Sequence, residues 1–132
     1  MTFNELMETF ALMDDWEDRY GLLIQLGGQL EPMPEALKVK ENKVEGCTSQ
    51  VWMVLRPNPD NRIDFVADSD AHIVRGLIAV LSIIYQGKTY VEARALDIED
   101  IFTNLGLSSH LSPNRRNGFF AMVERLKNLS AG

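Results

Sequence analysis

Cys47 is the only thiol in a chain of 132 residues. It stands in Glu45-Gly46-Cys47-Thr48-Ser49-Gln50, a short polar stretch just ahead of a strongly apolar run. The thiolate is the nucleophilic form of cysteine, and a modest backbone movement can expose a thiol on a small loop beside a glycine. A lone cysteine can equally be a small buried hydrophobe, and the residues alone leave both readings open. One cysteine excludes a disulfide within the chain. With only His72 and His110 as further soft ligands, the chain lacks the donor set of a thiolate-held iron–sulfur cluster or a structural zinc, so no metal is expected in it. A cysteine hydrolase would need a general base held by a third group. Nothing in the spacing pairs either histidine with Cys47. His72 reads as a solvated or capping residue in the first turn of a helix, and His110 as a turn residue in Ser108-Ser109-His110-Leu111. Sulfur transfer asks less of its acceptor: by analogy with thiol–disulfide exchange, an attacking thiolate and an activated sulfur donor suffice.

Two further positions stand out on electrostatic grounds. Arg115 and Arg116 follow Ser112-Pro113 and so fall in the first turn of a helix, where cations oppose the positive end of the dipole. They are either a solvated pair or part of a binding surface. Asp70, in Asp68-Ser69-Asp70, is a natural N-cap for the helix that follows.

Hydrophobic periodicity supplies the elements that must hold these residues. Phe3, Leu6, Met7 and Phe10 mark a first amphipathic helix, and Trp16, Tyr20, Leu23 and Leu26 a second. The methionines of these helices read as core filler. Gly27-Gly28 weakens the second helix and Glu31-Pro32-Met33-Pro34 breaks the chain. From Gln50 the period changes to two. Val51, Met53 and Leu55 face one way and Trp52 and Val54 the other. After a turn at Pro57-Asn58-Pro59-Asp60-Asn61, a second strand carries Ile63, Phe65 and Ala67 on one side. Trp52 and Phe65 read as core residues of this hairpin. A short third strand is expected around Lys43 to Glu45, and helices must cover so small a sheet. Asp68-Ser69-Asp70 offers caps for a helix reaching about Tyr85, stopped at Gly87. Short helices follow over Thr89 to Ala93 and Ile98 to Leu105, the latter ending at Gly106. Ser112 and Pro113 then open a last helix whose core side carries Phe119, Met122, Val123, Leu126 and Leu129. The expected architecture is α+β, a small antiparallel sheet of about three strands packed against several helices, in one domain spanning residues 1–132.

Composition narrows the setting. Hydrophobic residues make up 45% and charged residues 24% of the chain, enough apolar material for a folded core. The formal net charge is −6. Such a chain repels phosphate backbones and anionic membrane surfaces, so neither nucleic acid nor membrane is expected as a partner. The first residues carry Glu where a signal peptide would carry Lys or Arg, and the apolar, uncharged run of residues 76–86 is too short to span a bilayer. The expectation is a soluble, cytoplasmic protein.

Gly46-Cys47-Thr48-Ser49-Gln50-Val51-Trp52 resembles the SufE family, including its CsdE branch. Asp68-Ser69-Asp70-Ala71-His72-Ile73-Val74-Arg75-Gly76-Leu77-Ile78-Ala79 looks like that family's second signature. His110-Leu111-Ser112-Pro113-Asn114-Arg115-Arg116-Asn117-Gly118 looks like its third. Trp16-Glu17-Asp18-Arg19-Tyr20 and Leu26-Gly27 fit as well. The likeness covers nearly the whole chain, in order.

This resemblance implies an α+β fold shared with IscU-type scaffolds. It also implies a cysteine desulfurase as partner, which uses pyridoxal phosphate to leave sulfur as a persulfide on its own cysteine. Cys47 would take that sulfur, stimulate the desulfurase, and pass the sulfur towards iron–sulfur cluster assembly. The chain itself would carry no cofactor. Asp70 and Arg115 match positions associated with the carrier loop and the partner surface. Two other readings stand beside this one: a non-catalytic adaptor that binds a desulfurase, and a thiol hydrolase.

Overall fold

A computed structural model describes the backbone of residues 1–56 and 58–131 and, save residue 57, the side chains up to Asn128. Two N-terminal helices come first, α1 (Phe3–Leu12) and α2 (Trp16–Gly27), then two single-turn 3-10 segments at Glu35–Leu37 and Lys40–Asn42. The hairpin is β1 (Val51–Leu55) and β2 (Phe65–Ser69). The second half is α3 (His72–Tyr85), α4 (Tyr90–Arg94), α5 (Ile98–Asn104) and α6 (Pro113–Ala131).

The helices begin where side chains satisfy the free amides of the first turn. Thr2 and Glu5 form a reciprocal capping box on α1, and Thr89 and Glu92 form another on α4. Asp15 and Asp97 accept from Glu17 N–H and Asp100 N–H at the starts of α2 and α5. On α6 the Ser112 hydroxyl accepts from Arg115 N–H at 3.3 Å, with Pro113 as the first helical residue.

The strands pair antiparallel in the register Val51↔Ser69, Met53↔Ala67 and Leu55↔Phe65. Val51, Met53, Phe65 and Ala67 are buried, in one core with Leu77, Leu81, Ile84, Phe119, Met122 and Leu126 of α3 and α6. The hairpin turn is built on Asn58, whose side chain accepts from Asp60 N–H, and on Asn61 at φ 57°; Pro57 lies outside the described residues. The side chain of Leu129 is likewise outside them.

Four expectations need correction. The third strand shrinks to one antiparallel bridge between Lys43 and Trp52. A 3-10 turn ends just before it and the chain turns away at Gly46, φ +87°, just after, so there is no length for a ladder. The Asp68-Ser69-Asp70 run does not cap α3. Ser69 and Asp68 belong to β2, the cap position is Ala71, and it makes no side-chain cap bond. Asp68 instead pairs with Lys38 and Arg75, each at 3.1 Å, and Asp70 serves the thiol loop described below. Trp52 is only half-buried, with the Lys38 ammonium 5.8 Å from its ring centroid, on the side of the hairpin away from the main core. Of the N-terminal methionines, Met7 packs against the core as expected, whereas Met1 is exposed and Met13, at the C-cap of α1, is only partly buried, because they lie outside the buried stripe of Leu6 and Phe10.

Two close contacts set the scaffold. Helices α2 and α3 cross at Gly27 and Gly76, where added Cβ atoms would lie 2.7 Å from Gly76 N and 2.4 Å from Leu23 O respectively. Arg19 donates to the carbonyls of Phe10, Met13 and Leu105 at 3.1 Å each. One planar guanidinium thereby satisfies backbone acceptors at the ends of both α1 and α5.

Candidate thiol site

The Cys47 loop is pinned at both ends. Before it, Val44 is buried and its N–H donates to Val51 O at 2.8 Å. After it, Gln50 and Asp70 clasp each other: Gln50 N–H donates to the Asp70 carboxylate at 3.1 Å, and Asp70 N–H donates to Gln50 O at 3.3 Å. Between these anchors Gly46 takes a left-handed conformation that a side chain would resist, and its missing Cβ faces Ala121 of α6 at 3.4 Å. The turn points Cys47 inward.

There the sulfur enters a cavity of about 410 Å³ between the loop, α3 and the start of α6. Val51, Val74, Leu77, Phe119 and Met122 give it apolar walls; Thr48, Ser49, Ser112, Asn114 and Arg115 bring polar groups to the same space. Cys47 is half-buried, and its Sγ lies 3.7 Å from the Gly118 carbonyl, a weak S–H donor contact. A Cβ added at Gly118 would lie 3.7 Å from the sulfur, an ordinary contact distance, so Gly118 sits directly against the thiol.

Electrostatics leave the thiol protonated at rest. Burial pushes the Cys47 pKa above the ordinary thiol value. Neighbouring Lys43 is exposed and engaged through its backbone at Trp52. The rate of Cys47 alkylation by iodoacetamide is therefore expected to climb with pH to a midpoint above that of a free cysteine, because only the thiolate reacts. A midpoint at or below that of cysteine in a short peptide would contradict the buried setting.

Neither histidine reaches this site. His110 stacks on Trp16, ring centroids 4.9 Å apart and planes 9° from parallel, and His72 is exposed in the first turn of α3. Neither lines the cavity. Among the described residues no group of three or more His, Cys, Asp or Glu is arranged to hold a metal ion, and no helix among them is long and apolar enough to cross a membrane.

Of the residues singled out in the sequence, Cys47 and Arg115 line one cavity, and Asp70 holds the loop from outside it. Arg116 is exposed and does not line the cavity. The residues not anticipated are the walls, Val74 and Leu77 from α3 and Phe119 and Met122 from α6, and the Gly118 carbonyl. Gly118 sits inside the quoted third signature; the walls are visible in sequence only as parts of two apolar helix faces.

The arrangement defines a class: an α+β domain that presents a single thiol from a tethered loop into a half-apolar cavity, with neither a base nor a metal set beside it among the described residues. The comparisons give that class a family. A protein-family model described as SufE, Fe-S metabolism associated domain, matches residues 4–130. An uncharacterized SufE-like protein of Rhizobium meliloti is 43% identical over 134 residues, covering 99% of this chain and 96% of that protein. A second, from Rhizobium etli, is 45% identical over 129 residues, covering 96% and 87%. The chain belongs to the SufE family, a family associated with Fe–S metabolism. Its fold is shared by a solution structure of a hypothetical protein from Thermus thermophilus, with TM-score 0.77 at 18% identity over 99% of this chain and 96% of that one.

Proposed function

We propose that the protein is a sulfur acceptor and carrier. Cys47 takes sulfane sulfur from a cysteine desulfurase and passes it on towards iron–sulfur cluster assembly. The observation that supports this best is the Cys47 loop: one thiol, tethered at Val44 and Gln50 and turned inward at Gly46, facing a cavity lined by no general base among the described residues. In the transfer step the Cys47 thiolate attacks the terminal sulfur of the donor's persulfide. A sulfur–sulfur bond forms at Cys47, the donor's sulfur–sulfur bond breaks, and the donor cysteine leaves as thiolate. The proton of the resting thiol is lost to solvent once the loop leaves the cavity. Pyridoxal phosphate would act in the desulfurase, not in this chain.

The resting geometry explains how a carrier keeps its cargo. Persulfides are lost to passing thiols, and the apolar walls around Cys47 limit such encounters. Docking must then draw the loop out, and Asp70 governs how readily it goes. Removing the carboxylate in Asp70→Ala deletes one half of the clasp. Alkylation of Cys47 is expected to quicken roughly three- to tenfold at fixed pH, the range of a single charge-assisted bond at an exposed site. An unchanged rate would show that the clasp does not restrain the loop. Arg115, exposed beside the cavity, is assigned to the partner surface.

The direct functional test is desulfurase turnover. Added to a cysteine desulfurase and free cysteine, the chain should accelerate sulfide release in the presence of a reductant by clearing the enzyme's persulfide. Measurable binding with no acceleration would favour an adaptor.

A further inference from the structure

A second cavity lies away from Cys47, between the end of α3, α4 and the last described turns of α6. Its volume is about 220 Å³, and Ile63, Tyr85, Tyr90, Ala93 and Leu126 give it largely apolar walls. Tyr85 is 1% exposed, and its hydroxyl has no hydrogen-bond partner among the described residues. A buried hydroxyl left unpaired carries a desolvation cost, and such groups are uncommon in folded proteins. Two exposed cations, Arg94 and Lys127, line the same cavity; among the described residues neither is in an ion pair and no carboxylate lines it. The acidic side chain of α4, Glu92, is turned to Arg62 and its own Thr89 cap.

We propose that this cavity is a binding site for a small carboxylate with an apolar body, of the aryl-acetate or short alkanoate class. The apolar walls take the body and the Tyr85 hydroxyl donates to a carboxylate oxygen. Arg94 and Lys127 supply the opposite charge. Burial raises the Tyr85 pKa to about 12, so the phenol stays protonated at neutral pH and is available as a donor. The volume suits a ligand smaller than those of drug-sized sites, which run roughly 300–1,000 Å³. The site is independent of Cys47 and of the sulfur-carrier reading.

The test is titration of the full chain with para-fluorophenylacetate, followed by fluorine NMR of the probe and amide shifts of Ile63, Ala93 and Leu126. Saturable binding in the micromolar to millimolar range is expected. Tyr85→Phe should weaken it about tenfold, the scale of a hydrogen bond to a charged group, and Arg94→Gln severalfold. The neutral para-fluorophenylacetamide should bind severalfold more weakly than the acid. Cys47→Ser should bind as the wild type does. Tyr85→Phe should melt at the same temperature as wild type or higher, since it removes an unpaired buried hydroxyl. No saturable shift at millimolar probe, equal affinity for acid and amide, or undiminished binding by Tyr85→Phe would overturn the proposal. So would a lower melting temperature for Tyr85→Phe, which would show the hydroxyl already partnered.

Discussion

Replacing Cys47 with serine is expected to abolish stimulation of a cysteine desulfurase while leaving binding to it intact. The loss is complete rather than graded because the chain has no second thiol to inherit the sulfur, and a serine hydroxyl does not form a persulfide. The fold should hardly notice. Serine is close to isosteric with cysteine, the position is half-buried, and the Gly118 carbonyl that faces the sulfur can accept from a hydroxyl as well. A stability change below about 1 kcal/mol is expected. Stimulation and affinity measured on the same preparation separate the readings: a Cys47→Ser variant that still stimulated would make the thiol irrelevant to the activity.

The largest effect on stability is expected at Gly76. Helices α2 and α3 meet backbone to backbone there, and a methyl group would be placed 2.4 Å from the Leu23 carbonyl oxygen and 2.7 Å from its carbon. Backbone cannot move aside as a flexible side chain can, so Gly76→Ala must push the helices apart through the middle of the core. The gain in helix propensity, about 1 kcal/mol, offsets part of this. A net loss of about 2–4 kcal/mol is expected, or roughly 10 °C in melting temperature for a domain of this size. Gly21→Ala on α2 is the matched control. A Cβ there meets nothing within 4 Å, so propensity alone should stabilise that variant by about 0.5–1 kcal/mol. Equal melting temperatures for the two variants would show that the crossing has room to spare. Because Val74 and Leu77 flank Gly76 on α3 and line the thiol cavity, spreading this crossing should also loosen the packing around Cys47.

These two residues mark how much a sequence discloses. Cys47 is conspicuous because it is alone, and the glycine and hydroxyl residues around it announce a loop. The Ser112-Pro113 start of α6 and the two-residue period of the hairpin are equally direct, since each depends only on near neighbours. Gly76 is different. In sequence it is a flaw in an otherwise apolar helix, and only the opposing backbone of α2 gives it a purpose. Arg19 is the same kind of case: its third acceptor, Leu105 O, is 86 residues away, beyond any local pattern. Asp68-Ser69-Asp70 misled for the opposite reason. Its side chains suit a helix cap, but strand pairing claimed Asp68 and Ser69 and the thiol loop claimed Asp70. The cavity walls follow from helix faces that sequence marks as apolar, yet that Val74, Leu77, Phe119 and Met122 converge on one sulfur is a property of packing.

The most direct measurement is intact-protein mass spectrometry after incubation with a cysteine desulfurase and free cysteine. A carrier gains one or more sulfur atoms, loses them on treatment with dithiothreitol, and shows no gain as Cys47→Ser. A chain that binds desulfurases yet gains no sulfur from any of several would contradict the assignment of Cys47 as the acceptor.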